Sequence, residues 1–465
     1  MTLRLRSRVK SQRSGRASGL RVIALFMVLG LVFAACASDA DSTTTTADGG
    51  TATTAGGGAT TTAGGGEEME DVQIDIIVTR DYYIPPDEFQ SFMAEHPNIT
   101  VTWDVQSNDD ILQQLLLRRD AGQALPDVLG AEDSFLMPTF VEAGLLGSHD
   151  EFAATWEAED PDLYNKLWPL VWDETAIDGV KYGASITANF DVLYYNQEWF
   201  DEANVTVPFE SLDGVLDAMR AMKATRPDSI PLTVQAKAGD GVTTLKTMLA
   251  AAGAPFTGAV PDLGSDGGLY TLNWWLQAAD EGLIPPDAIA WGEDESRGAY
   301  VSGQAGLILD GFTTAGDFAE APNFDYPDQW NLTPVPVSQS GGGADGVAWA
   351  AARTWGIIAG TEHPYEAGLV IRYIAQTDSL LGQAGNGGVP ARQDEMIDSP
   401  ELLEIWPFFN DDLKAAYIGA SAQAAGENAG EVEAILEQLF GEIVVGSDKT
   451  AEELAAEYQP QLDNA

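Results

Sequence analysis

Two short stretches of this 465-residue sequence place side chains that could meet a ligand directly. One is Asp81, Tyr82 and Tyr83, an acid followed by two aromatic rings; the other is the adjacent pair Glu132 and Asp133. Carboxylates accept hydrogen bonds from hydroxyls and amines, and aromatic rings stack on apolar ligand faces. The two tyrosines would either stack in this way or staple their loop to the helix after it. Nucleophilic and metal chemistry has little material here. One cysteine and three histidines exclude a Cys-rich zinc site and disfavour a His-clustered centre. His96 and His363 each precede a proline at expected helix boundaries, His149 sits in a loop, and none reads as catalytic. No G-x-S-x-G, H-E-x-x-H, P-loop or D-x-[DN]-x-[DN]-G calcium loop is found. The runs Gly341-Gly342-Gly343 and Gly385-Asn386-Gly387-Gly388 suit bends and do not follow a strand as a dinucleotide fingerprint does. No cofactor and no metal is expected.

The elements that must hold these residues follow from the apolar pattern. Val72–Val78 is an apolar run, Asp87–Glu95 is helix-like, Ile99–Val105 is apolar again, Asp110–Ala121 is helix-like, and Asp127–Leu129 closes the series. This β-α-β-α-β alternation predicts parallel strands with right-handed crossovers in an open α/β sheet covered on both faces. Ligands in such sheets sit at the carboxyl ends of strands, so the loops to watch are Thr79–Pro86 and Gly130–Ser134.

Composition sets wider bounds. The length suggests two or three domains, and 45% hydrophobic residues are enough for sizeable cores. With 72 acids against 23 Lys+Arg and a formal net charge of −49, nucleic acid is not an expected partner. The acids are scattered in pairs such as Asp109-Asp110 and Asp411-Asp412, which favours a solvated, self-repelling surface over a cation-capturing cleft. Residues 1–35 hold seven of the 23 basic residues and no acid, and end in the apolar run Val22 to Ala35. At 14 residues that run is shorter than the roughly 20 a membrane-spanning helix needs, and it reads as an export signal. Phe33-Ala34-Ala35-Cys36 resembles the bacterial lipobox, with Phe33 in place of the usual leucine, and implies a lipid anchor on Cys36 at the extracytoplasmic face of the cell membrane. Residues 36–70 are then expected to form a Thr/Gly-rich flexible tether, whose stretch Ser42–Gly66, flexible or O-glycosylated, has a random-coil reach on the order of 25–30 Å.

Further along, several segments resemble one family. Leu125-Pro126-Asp127-Val128 and Glu142-Ala143-Gly144-Leu145-Leu146 are similar to the first-lobe signature of extracellular solute-binding proteins of ABC importers. Asp178-Gly179-Val180-Lys181-Tyr182-Gly183 followed by Leu193-Tyr194-Tyr195-Asn196-Gln197-Glu198-Trp199-Phe200 resembles the carbohydrate-type branch that includes maltose-binding protein. Gly303–Gly311, Thr361-Glu362-His363-Pro364 and Gly388-Val389-Pro390-Ala391-Arg392 follow in the family's order. The resemblance covers roughly residues 71–460.

That resemblance implies a periplasmic-binding-protein-like α/β fold, two α/β lobes joined by a hinge with a ligand cleft between them. It places the three crossings between lobes near Ser185–Asp191, Gly346–Ala352 and Asn386–Ala391. Lobe one is then 71–187 plus 350–388, and lobe two 188–347 plus 389–465. The implied ligand-binding residues are Asn189, Phe190 and Asp191 in the first crossing, Trp349, Arg353 and Trp355 in the second, and Asn386 in the third. Asp310 and Phe312 come from the Asp310-Gly311-Phe312 segment, with Phe312 as an aromatic platform offset by about one residue from the family's. Trp291 is read at the cleft edge or as loop packing, and Arg353 as an anion contact or, by default, the partner of an acid. Tyr194 and Tyr195 alternate on a strand and are expected in the core. The late helix-like segment Ala424–Ile435 lacks the aromatic that maltose-binding protein has there, which argues against a long malto-oligosaccharide.

The implied function is capture of a carbohydrate by a membrane-anchored, monomeric, non-enzymatic binding protein that serves ABC permease subunits. A polyamine or other cationic solute is the alternative, a secreted glycoside hydrolase a weaker one. A surface protein that binds calcium or a partner through its acids is a third, without a motif to support it.

Overall fold

The computed structural model describes residues 70–465 except 79–85, 107, 169, 178, 239–241, 385–387 and 423–427. Its main sheet has ten strands: β1 Val72–Val78, β2 Ile99–Val105, β3 Val128–Asp133, β4 Ala184–Asn196, β5 Ile230–Thr233, β6 Ala305–Gly311, β7 Trp330–Pro334, β8 Trp349–Ile357, β9 Val389–Pro390 and β10 Ser421–Ala422. They run in the order β2-β1-β3-β8-β4-β6-β5, with β7 and β9 also on β4 and β10 on β8.

The predicted alternation is present. β1 pairs in parallel with β2 and β3, and the helices Pro86–Glu95 and Asn108–Asp120 form the crossovers. Strands buried on both faces are apolar throughout rather than alternating. Accordingly Ile74, Ile76 and Val78 enter one core while Ile77 enters another with Ile111, Leu115, Leu129 and Phe140. β3 differs from expectation by running on to Asp133, so most of the anticipated Gly130–Ser134 loop is strand. Antiparallel β8 supplies the reason, since Glu132 and Asp133 lie opposite Thr354 and Arg353. Gly130 lets that strand pass close to Trp355, whose ring carbon would lie 2.5 Å from a Cβ there.

β4 organises everything else. At 13 residues it extends roughly 40 Å. Its first half, Ala184 to Phe190, pairs with β8, and its second half, Asp191 to Asn196, with β6 and β7. The sheet is therefore two half-sheets that share one strand, with one core continuous across a face of both and a second core on the other face of the second half-sheet. Apolar residues on one face of β4, Ile186, Ala188, Phe190, Val192 and Tyr194, enter the first core; Leu193 and Tyr195 enter the second. Tyr194 and Tyr195 thus point to opposite faces, as expected of alternating strand residues. Tyr195 stacks on Phe200 at 4.3 Å, and Asn196 caps the helix Gln197–Ala203 by accepting from Trp199 N–H.

Helices complete the second core. Leu212–Thr225 is capped by Ser211 and buries Leu212, Val215, Leu216, Met219 and Met222, one apolar stripe at helical spacing. Asp266–Asp280, Ala429–Val444 and Ala451–Leu462 pack against one another in the same core. The chain leaves this lobe through Gly341-Gly342-Gly343, all at positive φ, and enters β8. The result is the expected two-lobed α/β architecture.

The buried Tyr194 hydroxyl donates to the carbonyls of Gly311 and Phe312, each at 2.8 Å. Tyr194→Phe removes the donor and is expected to lower stability by about 1–3 kcal/mol, seen as a lower urea midpoint at unchanged m-value.

Candidate functional site

Strand direction locates the site. β3 advances toward β4 so that its last residue, Asp133, stands level with Arg353 and Thr187. β6 advances from the other lobe and its last residue, Gly311, pairs with Asp191. The carboxyl ends of the two half-sheets therefore face one another across residues 187–191 of β4. Crevices of this kind are where open α/β sheets hold ligands.

The face of β4 opposite the first core is polar at this point. Ser185, Thr187, Asn189 and Asp191 recur with the strand's period of two, before the same face turns apolar at Leu193 and Tyr195. Hydroxyl, amide and carboxyl groups thus line the junction of the lobes. Asn189, half-buried, accepts at 3.1 Å from Thr313 N–H, tying β4 to the turn after β6. Gly311 is needed for that approach, because a Cβ there would lie 2.1 Å from Asn189 Nδ2. Asp191 accepts a hydrogen bond from the Thr247 hydroxyl, on the helix Val242–Ala251. Burial raises its pKa to about 6; Thr247 opposes the rise, Asp310 adds to it, and Lys246 opposes it. Lys246 is almost wholly buried and pairs with Glu433 at 2.8 Å.

Of the residues expected at a ligand, Asp81, Tyr82, Tyr83 and Asn386 lie outside the described residues, as do Cys36 and the tether. Glu132 and Asp133 stand at the carboxyl end of β3, paired to β8. Asn189 and Asp191 lie on the polar face of β4. Arg353 is half-buried on β8, opposite Asp133 and Thr187.

Four of the expected contacts are buried aromatic rings. Phe312 is fully buried; it stacks on Phe190 at 5.1 Å and meets Trp406 at 5.0 Å and Phe409 at 5.1 Å, so no ring face is open as a platform. Phe190 is buried in the same cluster against Tyr417. Trp355 is buried over Gly130, and Trp349 is buried with its ring 4.6 Å from Phe256. These rings fill the join between sheet and helices, where their large apolar area is removed from water.

Asp310 is likewise spoken for. Its carboxylate takes a bidentate pair from Arg297 Nε at 2.7 Å and Nη2 at 2.9 Å, and Thr314 donates at 3.0 Å. Trp291 is half-buried and its carbonyl accepts from Ala236 and Lys237 N–H at 3.2 and 3.1 Å, so it holds the stretch after β5. His149 is structural: Nε2 accepts from Ile357 N–H at 2.9 Å, Nδ1 lies 3.0 Å from Gly147 O, and burial lowers its pKa to about 4.

Sequence reasoning missed Ser134, Glu174, Ser185, Thr187, Thr247 and Thr354. Serines and threonines carry no signal by themselves, but Ser185, Thr187, Asn189 and Asp191 do alternate visibly in the sequence. Glu174 has no local signal, since its burial comes from segments far away in the chain.

The profile of the family described as bacterial extracellular solute-binding protein matches residues 76–379. A protein of Brucella abortus (strain 2308), named as a presumptive binding protein, is 21% identical over 256 residues, which is 54% of this chain and 59% of the relative. The chain thus spans about 59% of the length of that curated relative. Among solved structures, the cyclic alpha-maltosyl-1,6-maltose binding protein from Arthrobacter globiformis superposes with a TM-score of 0.69 at 18% identity, covering 84% of this chain and 99% of that one. The sugar-binding protein MalE of Xanthomonas citri gives 0.69 at 17% identity, over 84% of this chain and 98% of its own. At such identities the likeness is one of fold.

A carboxyl whose folded-state pKa stands above its unfolded value stabilises the fold fully below the unfolded pKa and loses that contribution as pH rises through the folded one. For Asp191 the window runs from about pH 4 to about pH 6. Asp191→Asn is expected to remove roughly 2–3 kcal/mol of the decline in unfolding free energy across it, measured by urea titration at pH 4 and pH 7. An unchanged slope would exclude a desolvated Asp191.

Proposed function

The chain belongs to the bacterial extracellular solute-binding proteins, and from that premise we propose that it captures a carbohydrate, a sugar or oligosaccharide, by closing its two lobes and delivers it to the permease subunits of an ABC importer. The observation that carries this reading is the polar face of β4, on which the carboxyl ends of both half-sheets converge. Its hydroxyl, amide and carboxyl groups match the hydroxyls of a sugar, and the solved relatives named above are sugar binders. Membership of a binding family supports a protein that holds its solute without turning it over. We take it to act as a monomer.

The lobes in this reading are 71–187 plus 350–388 and 188–347 plus 389–465, with the change of partners along β4 as the hinge. Residues 391–420 belong to the second lobe by that division yet pack on the first, as Tyr417 lies 4.7 Å from Trp168 and Trp168 N–H donates to Ala391 O. They would act as a clasp over the hinge. Among the described residues no helix is long and apolar enough to cross a membrane. Anchoring would then fall to acyl chains on Cys36, with residues 36–70 as the tether.

Closure requires that the solute bind the closed form more tightly than the open one. A saturating sugar should therefore raise the melting temperature and reduce the radius of gyration in small-angle scattering. Asn189→Ala should weaken that sugar about tenfold or more, measured by calorimetry. No melting shift with any mono-, di- or oligosaccharide would refute the carbohydrate reading, and an unchanged radius at saturation would refute closure.

A further inference from the structure

The buried carboxyl of Glu174 has no role in the reading so far. Both of its oxygens are shielded from solvent, and neither has a hydrogen-bond partner among the described residues. The polar groups that act on it are the hydroxyls of Ser185 and Ser134, and burial holds its pKa up to about 8 against them. Each hydroxyl has a further contact: Ser134 accepts from Ala352 N–H at 3.2 Å, and Ser185 shares a hydrogen bond of 2.9 Å with Thr354. Two residues along the same face of β4, the buried Thr187 hydroxyl is also without a partner. Ser134 directly follows β3 and Ser185 opens the crossing strand, so the carboxyl lies at the ligand edge of the first half-sheet.

The charged and titratable groups on the surrounding elements are few. Tyr417, on the helix Asp411–Ile418, feels the carboxyl's charge and donates its hydroxyl to Pro390 O at 2.9 Å. Arg353 lies on β8 beside Thr354, and Glu132 and Asp133 end β3. No basic side chain is among the groups that act on Glu174. Nor does any cluster of three metal-ligating side chains occur among the described residues. Orphaned buried polar groups in folded proteins call for a partner, and a carboxylate is best met by a cation that brings several N–H donors.

We propose that Glu174, with Ser134, Ser185 and Thr187, forms an ammonium-accepting subsite in the cleft, so that the solute carried is an amino-bearing sugar. This rests on the carbohydrate reading and narrows its substrate class. In the free protein the carboxyl holds its proton. As the ammonium docks, that proton leaves to solvent, and carboxylate and ammonium pair with no other group changed.

Calorimetry of the purified protein tests this with glucosamine and its β-1,4-linked disaccharide against glucose and cellobiose. At pH 6.5, in two buffers of different ionisation enthalpy, amino sugars should bind at least tenfold more tightly and release close to one proton each. Glu174→Gln should abolish both the preference and the release. The proton count of the unaltered protein decides the matter if that variant does not fold. Equal affinity for neutral and amino sugars, or amino-sugar binding without proton release, overturns the subsite and leaves the carbohydrate reading standing. If no sugar of either kind binds, the carbohydrate reading falls and this inference with it.

Discussion

The main-chain hydrogen bonds of β4 are the constraint from which the molecule is built. Every buried N–H and C=O of a strand must find a partner, and no single neighbour follows β4 along its whole length. β8 serves the first half, β6 and β7 the second. The partners change between Phe190 and Asp191, and β9 adds a second neighbour at Thr187 and Ala188. The polar side chains of β4 lie on either side of that change of partners.

Electrostatics reinforces the arrangement. In a chain with 72 acids and 23 Lys+Arg, the few basic groups are spent selectively. Arg297 clamps Asp310 at the end of β6, Lys246 pairs with Glu433, and the buried Arg392 pairs with Asp394. Buried pairs of this kind add little net stability over apolar packing, but removing one partner leaves a desolvated charge. They hold the turn after β6 and the segment after β9 in one register. Exposed pairs such as Arg118 with Asp104 contribute much less, because solvent screens them. Glu174 stands apart, as a buried acid that burial alone drives toward the neutral form.

Much of this was legible before the fold. The first five elements were correct in kind and order, because apolar runs and helical spacing report the periodicity of the backbone itself. Tyr194 and Tyr195 were correctly read as core, since alternation along a strand needs no tertiary knowledge. The segment Ser185–Asp191, a crossing by the family resemblance, contains the point at which β4 changes partners, between Phe190 and Asp191. Aromatic residues were harder to place: Phe312, read as a platform, and Phe190, Trp349 and Trp355, read in the crossings, are all buried. A sequence shows that a ring is present but not what covers it, and the cover for Phe312 comes from Trp406, Phe408 and Phe409, far along the chain.

By itself, then, the sequence determined the α/β class and the strongly acidic charge, which follow from local periodicity and composition, while the strand that crosses between lobes was implied only by the family resemblance. Tertiary structure decided which polar groups share a face and which are dry. Ser134, Glu174, Ser185 and Thr354 come from four separate segments, and only packing brings their hydroxyls and carboxyl together. Glu174 is one acid of 72 in the sequence, and it becomes unusual only where the fold removes water from it without supplying a partner.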